Sequence, residues 1–194
     1  MSAASLLTRL SDAQAEAVRR VRDAVVEVSR PGRRGGRGAG THLGGGRVVT
    51  CAHVVGSARE VRVRTASGAV GTACVEAVAR GDDLALLALP PEAVVHLPAL
   101  RLGEAPALGA QVLAVGHPGG SVGAASAGVV VGHDEAGRTL TDAHLRPGHS
   151  GGALVDATGR LVGVLATLSA PDLGGAVRPE AVRALLTAAG AVHG

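Results

Sequence analysis

The sequence predicts an all-β protein of two lobes, with antiparallel strands closed into barrels or stacked as sandwiches and helices confined to the two ends. Three observations predict it. From about residue 24 the chain breaks into short runs rich in β-branched residues: AVVEV, GRVVTCA, VRVRT, CVEAVA, DLALLAL, QVLAV, AGVVVG, ALVDA and RLVGVLATL. Glycine-bearing turn signals such as ATG at 157–159 separate these runs, as hairpins require. The proline-bearing stretch LPPEAVVHLPALRLGEAP, 89–106, divides two halves of comparable strand content.

In chain order, residues 1–23 read as an amphipathic helix, since Leu7, Leu10, Val18, Val21 and Val25 recur near helical spacing with Arg and Glu between them. Residues 24–90 form the first lobe, 91–106 the linker and 107–178 the second lobe. Residues 179–194 give a closing helix and tail, with Pro179 at the helix start and Gly190 at its end.

The 194 residues are 46% apolar, enough to bury a core. Phe, Trp, Tyr, Ile, Lys and Asn are absent and Arg supplies all 19 basic residues, a bias expected of a GC-rich genome. The core must therefore be built of Val, Leu and Ala through many small contacts. The net charge is only +3, so SRPGRRGGRG, with Arg30, Arg33, Arg34 and Arg37, reads as a solvated loop between strands rather than a nucleic-acid site. Stacking platforms for single strands are excluded without aromatic residues. No apolar run suits a signal peptide or a membrane span, which points to the cytoplasm. Cys51 and Cys74 are expected as reduced, small, buried hydrophobes.

In RPGHSGGAL, 146–154, Ser150 stands between glycines. Alone, this is either a tight turn or a nucleophile. A serine nucleophile needs an imidazole to take its proton and an acid to hold that imidazole in the right tautomer. His53 in GGGRVVTCAHVV closes a strand, Asp83 in GDDLALLAL stands at the mouth of another, and a cleft between lobes is where they would meet Ser150. The rival reading of GxSxG, an elbow between a strand and a helix, needs an acid and a histidine downstream, but only His193 follows and ALVDATGRLVGV reads as a hairpin.

TCAHVV, DDLALL and TDAHLRPGHSGGAL, in that order, resemble the histidine, aspartate and serine motifs of trypsin-like serine proteases of the HtrA (Deg) branch. The likeness runs from about Val18 to Leu186 and includes GHPGG at 116–120 and the GGAVRPEAV exit. It implies two six-stranded antiparallel β-barrels and an endopeptidase acting on exposed or unfolded polypeptide. In that role His53, Asp83 and Ser150 would be catalytic, with Asp82 a solvated neighbour. The N–H groups of Gly148 and Ser150 would form the oxyanion hole. Leu145, Thr167 and Leu168 would line a small apolar substrate pocket, and the backbone of Val164, Leu165, Ala166 and Thr167 would bind substrate as an added strand.

His149 stands where the family has Asp or Asn, and Ala166 near a position that often gives a hydroxyl to the acid. These departures leave a silent peptide-binding module as the alternative. No cofactor or metal is implied, because His144 and His149 beside His53 lack the spacing of a structural zinc motif. No residues remain for a PDZ domain, so regulation in trans or a family-like trimer is the expected partnership, and the family's export leaves a periplasmic or secreted setting open.

Overall fold

The computed structural model describes residues 2–32, 36–94, 96–170 and 173–190, with backbone alone at Ala3 and 167–170. Arg33 and Arg34 of the basic segment and His193 therefore lie outside the described residues, as do the side chains of Thr167 and Leu168.

Helix α1 (Ala3–Ala24) is capped by the Ser2 hydroxyl, which accepts the Ser5 N–H at 3.2 Å. Its last turns bury Ala17, Val21 and Ala24, whereas Leu6, Leu7 and Leu10 are exposed. The chain then enters β1 (Val25–Ser29), whose Val25, Val26 and Val28 are fully buried. Glu27 on the same strand is buried too, and its carboxylate accepts Arg64 Nε–H at 2.7 Å.

Strands β2 (Arg37–Gly44), β3 (Arg47–Cys51), β4 (Glu60–Arg64), β5 (Val70–Ala79) and β6 (Leu84–Ala88) complete the first sheet, in the order β1-β2-β3-β6-β5-β4. The Glu27↔Arg64 register between β1 and β4 closes it into a barrel. After the linker, β7 (Gln111–Gly116), β8 (Ala124–His133), β9 (Thr139–Thr141), β10 (Ala153–Val155), β11 (Leu161–Ala170) and β12 (Leu173–Val177) form a second barrel in the order β10-β11-β12-β9-β8-β7. The fold is thus two closed six-stranded antiparallel barrels, and the sandwich option falls because β1–β4 and β10–β7 both pair.

Helices are not confined to the ends. One-turn helices α2 (Ala52–Val55) and α3 (Pro91–Val94) lie inside the first barrel and the linker, too short for periodicity to reveal. Helix α4 (Pro179–Ala188) buries Val182, Leu185 and Leu186 against β5, β6 and β11, so it straddles both barrels. Among the described residues no helix is long and apolar enough to cross a membrane. Cys51 is fully buried, but Cys74 is exposed on β5, contrary to expectation, because its strand position faces outward; both thiols are free.

Candidate active site

His53 lies in α2, the single turn that follows β3, and its imidazole is half exposed. Asp83 sits in the turn before β6, and β6 pairs with β3 through Cys51↔Leu84, which brings the two residues side by side. Three bonds fix them. Ala52 N–H donates to the Asp83 carbonyl at 3.0 Å, His53 N–H donates to Asp83 Oδ1 at 2.9 Å, and His53 Nδ1 lies 2.7 Å from Asp83 Oδ2. Burial works to raise the Asp83 pKa, but the two bonds from His53 and the charges of His53 and Arg138 outweigh it and hold the carboxyl below its usual value. Asp82 is exposed and, among the described residues, has no hydrogen-bond partner.

Ser150 belongs to the loop between β9 and β10. His149 N–H donates to Arg146 carbonyl at 3.0 Å around Pro147 and Gly148, and Gly148 has φ +107°, the signature of a type II turn. A Cβ on Gly148 would stand 2.6 Å from the His117 carbonyl oxygen, and one on Gly151 (φ +84°) would stand 2.0 Å from that of Ala39. These glycines are therefore required by space as well as by φ. Gly151 N–H donates to Leu165 carbonyl at 2.6 Å and Gly152 N–H to His149 carbonyl at 2.8 Å, while among the described residues the N–H groups of Gly148 and Ser150 have no acceptor.

The loop is pinned from both halves of the molecule. Ala39 N–H donates to the Ser150 carbonyl at 2.7 Å, and His117 N–H holds the Gly148 carbonyl at 3.1 Å. The His117 ring is buried, its Nε2 3.0 Å from the Val25 carbonyl and its Nδ1 accepting Gly123 N–H at 3.3 Å. Sequence reasoning gave GHPGG no such role. The buried His149 places Nδ1 3.1 Å from Arg146 N and 3.0 Å from Arg146 O, and its ring packs on Gly116.

The Ser150 hydroxyl donates to the Ala166 carbonyl at 2.6 Å and not to His53. The structure thus brings His53 and Asp83 into contact and ties Ser150 to the first barrel through its carbonyl and Ala39 N–H, with the hydroxyl turned toward β11. A cavity of about 190 Å³ beside it is lined by Leu145, Arg146, Pro147, His149, Ser150, Leu165 and Ala166. Val164 is not in it, being fully buried and paired with Ala153 and Val177. Leu165 is also bonded through its backbone to Gly151 and Gly152, so the open edge of β11 begins at Ala166, two residues later than the sequence reading placed it.

Cys51 lies beneath the pair. Its Sγ donates to the Leu165 carbonyl at 3.2 Å, and burial, then the Asp83 charge, push its thiol pKa far up. The donor atoms of Cys51, His53 and Asp83 lie within 4.8 Å of one another, whereas among the described residues His144 and His149 join no such group.

Known proteins share this architecture. The serine endoprotease from Yersinia pestis superposes with a TM-score of 0.82 over 90% of this chain and 65% of that chain, at 26% sequence identity. The HtrA-type protease AlgW with tripeptide gives 0.82 over 90% and 62%, at 27% identity. Among curated proteins, the periplasmic serine endoprotease DegP of Salmonella typhimurium is 32% identical over 139 residues, 66% of this chain and 29% of that protein. Serine protease HTRA4 of Mus musculus is 34% identical over 132 residues, 61% of this chain and 27% of that protein. The chain thus spans under a third of the length of these curated relatives. Residues 38–164, which carry His53, Asp83 and Ser150, match the trypsin-like peptidase domain, and the chain belongs to that family.

Proposed function

We propose that this chain is a serine endopeptidase domain that hydrolyses peptide bonds in exposed or unfolded polypeptide. Ser150 Oγ attacks the carbonyl carbon, His53 Nε2 takes the hydroxyl proton, and Asp83 holds the ring in the tautomer that leaves Nε2 free to accept. The 2.7 Å contact of His53 Nδ1 with Asp83 Oδ2 carries this reading, because it fixes that tautomer before substrate arrives. The two N–H groups without acceptors, on Gly148 and Ser150, would receive the developing oxyanion, and one such donor is worth about 3–4 kcal/mol of barrier. The acyl-enzyme would be released by water, with His53 acting again as base.

An extended substrate would add as a strand to β11 from Ala166 onward. Its main-chain N–H would compete with the Ser150 hydroxyl for the Ala166 carbonyl, releasing the hydroxyl to turn to His53. The cavity lining of Leu145, Leu165 and Ala166 without a carboxylate favours cleavage after short aliphatic side chains.

The second reading, a peptide-binding module without turnover, is favoured by the Ser150 hydroxyl facing Ala166 rather than His53. A fluorophosphonate probe and a peptide library distinguish the two. Labelling that disappears in Ser150→Ala, with cleavage after small aliphatic residues, is the expected outcome. Absence of labelling at pH 8 would favour the silent module, and cleavage dominated by basic residues would reject the pocket assignment.

A further inference from the structure

The Cys51, His53 and Asp83 cluster combines a thiol, an imidazole and a carboxylate, the donor set that thiophilic borderline ions such as Zn²⁺ take. We propose that this cluster is an inhibitory binding site for a thiophilic divalent cation, held where a proton now bridges His53 and Asp83. Bonds of about 2.0–2.3 Å put the donor atoms of a tetrahedral ion roughly 3.3–3.7 Å apart. That spacing falls between the 2.7 Å of the present His53–Asp83 contact and the 4.8 Å limit of the whole cluster, so small side-chain movements complete the site.

Access comes directly from solvent, to which the side chains of His53 and Asp83 are 49% and 35% exposed, and the fourth position is left for water. Cys51 forms the floor. The proton balance is explicit. The Cys51 thiol gives up the proton now donated to the Leu165 carbonyl, and the ring proton passes from Nδ1 to Nε2, so one proton is released per ion bound.

An imidazole holding a cation on Nδ1 carries its hydrogen on Nε2 and cannot accept the serine proton. This inhibitory consequence rests on the proposed role of His53, whereas binding of the ion does not. Other histidines near the groove are already engaged: His144 Nε2 accepts Arg146 Nε–H at 3.0 Å, and both nitrogens of the His117 ring are bonded. Hard cations such as Mg²⁺ and Ca²⁺ find a single carboxylate here and are expected to bind poorly.

The test uses the full chain with Cys74→Ser, which removes the exposed thiol as a competing ligand. Titration with Co²⁺ should give a thiolate-to-metal charge-transfer band that saturates at one ion per chain and is displaced by Zn²⁺. Calorimetry should show Zn²⁺ affinity falling at least about tenfold in Cys51→Ser, Cys51→Ala and, with the thiol intact, Asp83→Asn. Zn²⁺ binding without a thiolate band, or with affinity unchanged in these variants, overturns the site. Peptide hydrolysis, normalised to each variant's metal-free rate, should be lost with Zn²⁺ in the Cys51-bearing chain and retained in Cys51→Ser. Equal inhibition in both overturns the inhibitory role. Absence of hydrolysis in the metal-free chain would instead refute the endopeptidase reading, leaving the binding result to stand by itself.

Discussion

Asp83 has φ +54° and is, among the described residues, the one non-glycine residue in the left-handed region. That conformation costs an L-residue roughly 1–2 kcal/mol, least for Asp and Asn, and here two N–H groups from the His53 turn hold it in place. Asp83→Asn tolerates the same backbone but removes the charge that orients His53, so turnover should fall about 10⁴-fold with the melting temperature little changed. Steady-state kinetics beside calorimetry check this, and a loss under tenfold would remove Asp83 from the proposed mechanism. The sequence offered two adjacent acids, and the family resemblance chose Asp83, directly before the apolar run, over Asp82. The chain's turn separates them, leaving one in solvent and one on the imidazole. The thiol beneath the pair was legible only as a small apolar residue, because its acceptor, the Leu165 carbonyl, comes from a strand more than a hundred positions away.

At the scale of elements, the serine loop depends on two buried imidazoles. Burial chiefly holds His117 and His149 below the usual 6.5; at His149 the Arg146 guanidinium and the neighbouring imidazoles of His144 and His117 act in the same direction against the backbone bond to Arg146. Around His117, Arg64 and Arg22 also lower the value while Val25 and Glu27 oppose them. Unfolded histidine takes a proton near 6.5 and these folded rings resist it, so stability should fall as pH drops from about 6.5 toward their depressed values. Calorimetry between pH 7 and 5 should show a falling melting temperature, with a shallower fall in His149→Asn; identical slopes would separate His149 from acid sensitivity. The helices make a second contrast. Leu186→Ala in α4 should cost about 2–5 kcal/mol in denaturant unfolding, because the side chain is fully buried. Deleting residues 2–13 should leave the melting temperature nearly unchanged, since Leu6, Leu7 and Leu10 are exposed. The periodicity of α1 was readable, yet periodicity does not report which turns find a surface to cover; Val25, assigned to the same stripe, is the first residue of β1.

For the molecule as a whole, the strand runs and the dividing linker predicted two β lobes, but closure was a matter of register. Only the pairing of β1 with β4 and of β10 with β7 distinguishes barrels from sandwiches, and these partners are far apart in sequence. The largest apolar cluster runs from Val48 and Leu86 of the first barrel to Val115 and Val164 of the second, and α4 lies across both. Unfolding should therefore be one cooperative transition, with calorimetric and van't Hoff enthalpies equal; two resolved transitions would show the lobes to be independent. Heat measurement suits this protein, since without Trp or Tyr it has no intrinsic fluorescence to follow.

Strand β11 gives one carbonyl, Leu165, to Cys51 and Gly151, and the next, Ala166, to the Ser150 hydroxyl. In the proposed mechanism the resting nucleophile is thereby parked on the atom that an incoming chain would need most. Reagents that present a peptide N–H at the right distance should unpark it and react quickly, while equally electrophilic esters or phosphonates lacking that group must wait for the hydroxyl to let go unaided. Idle protection and readiness for a guest are then two settings of a single acceptor.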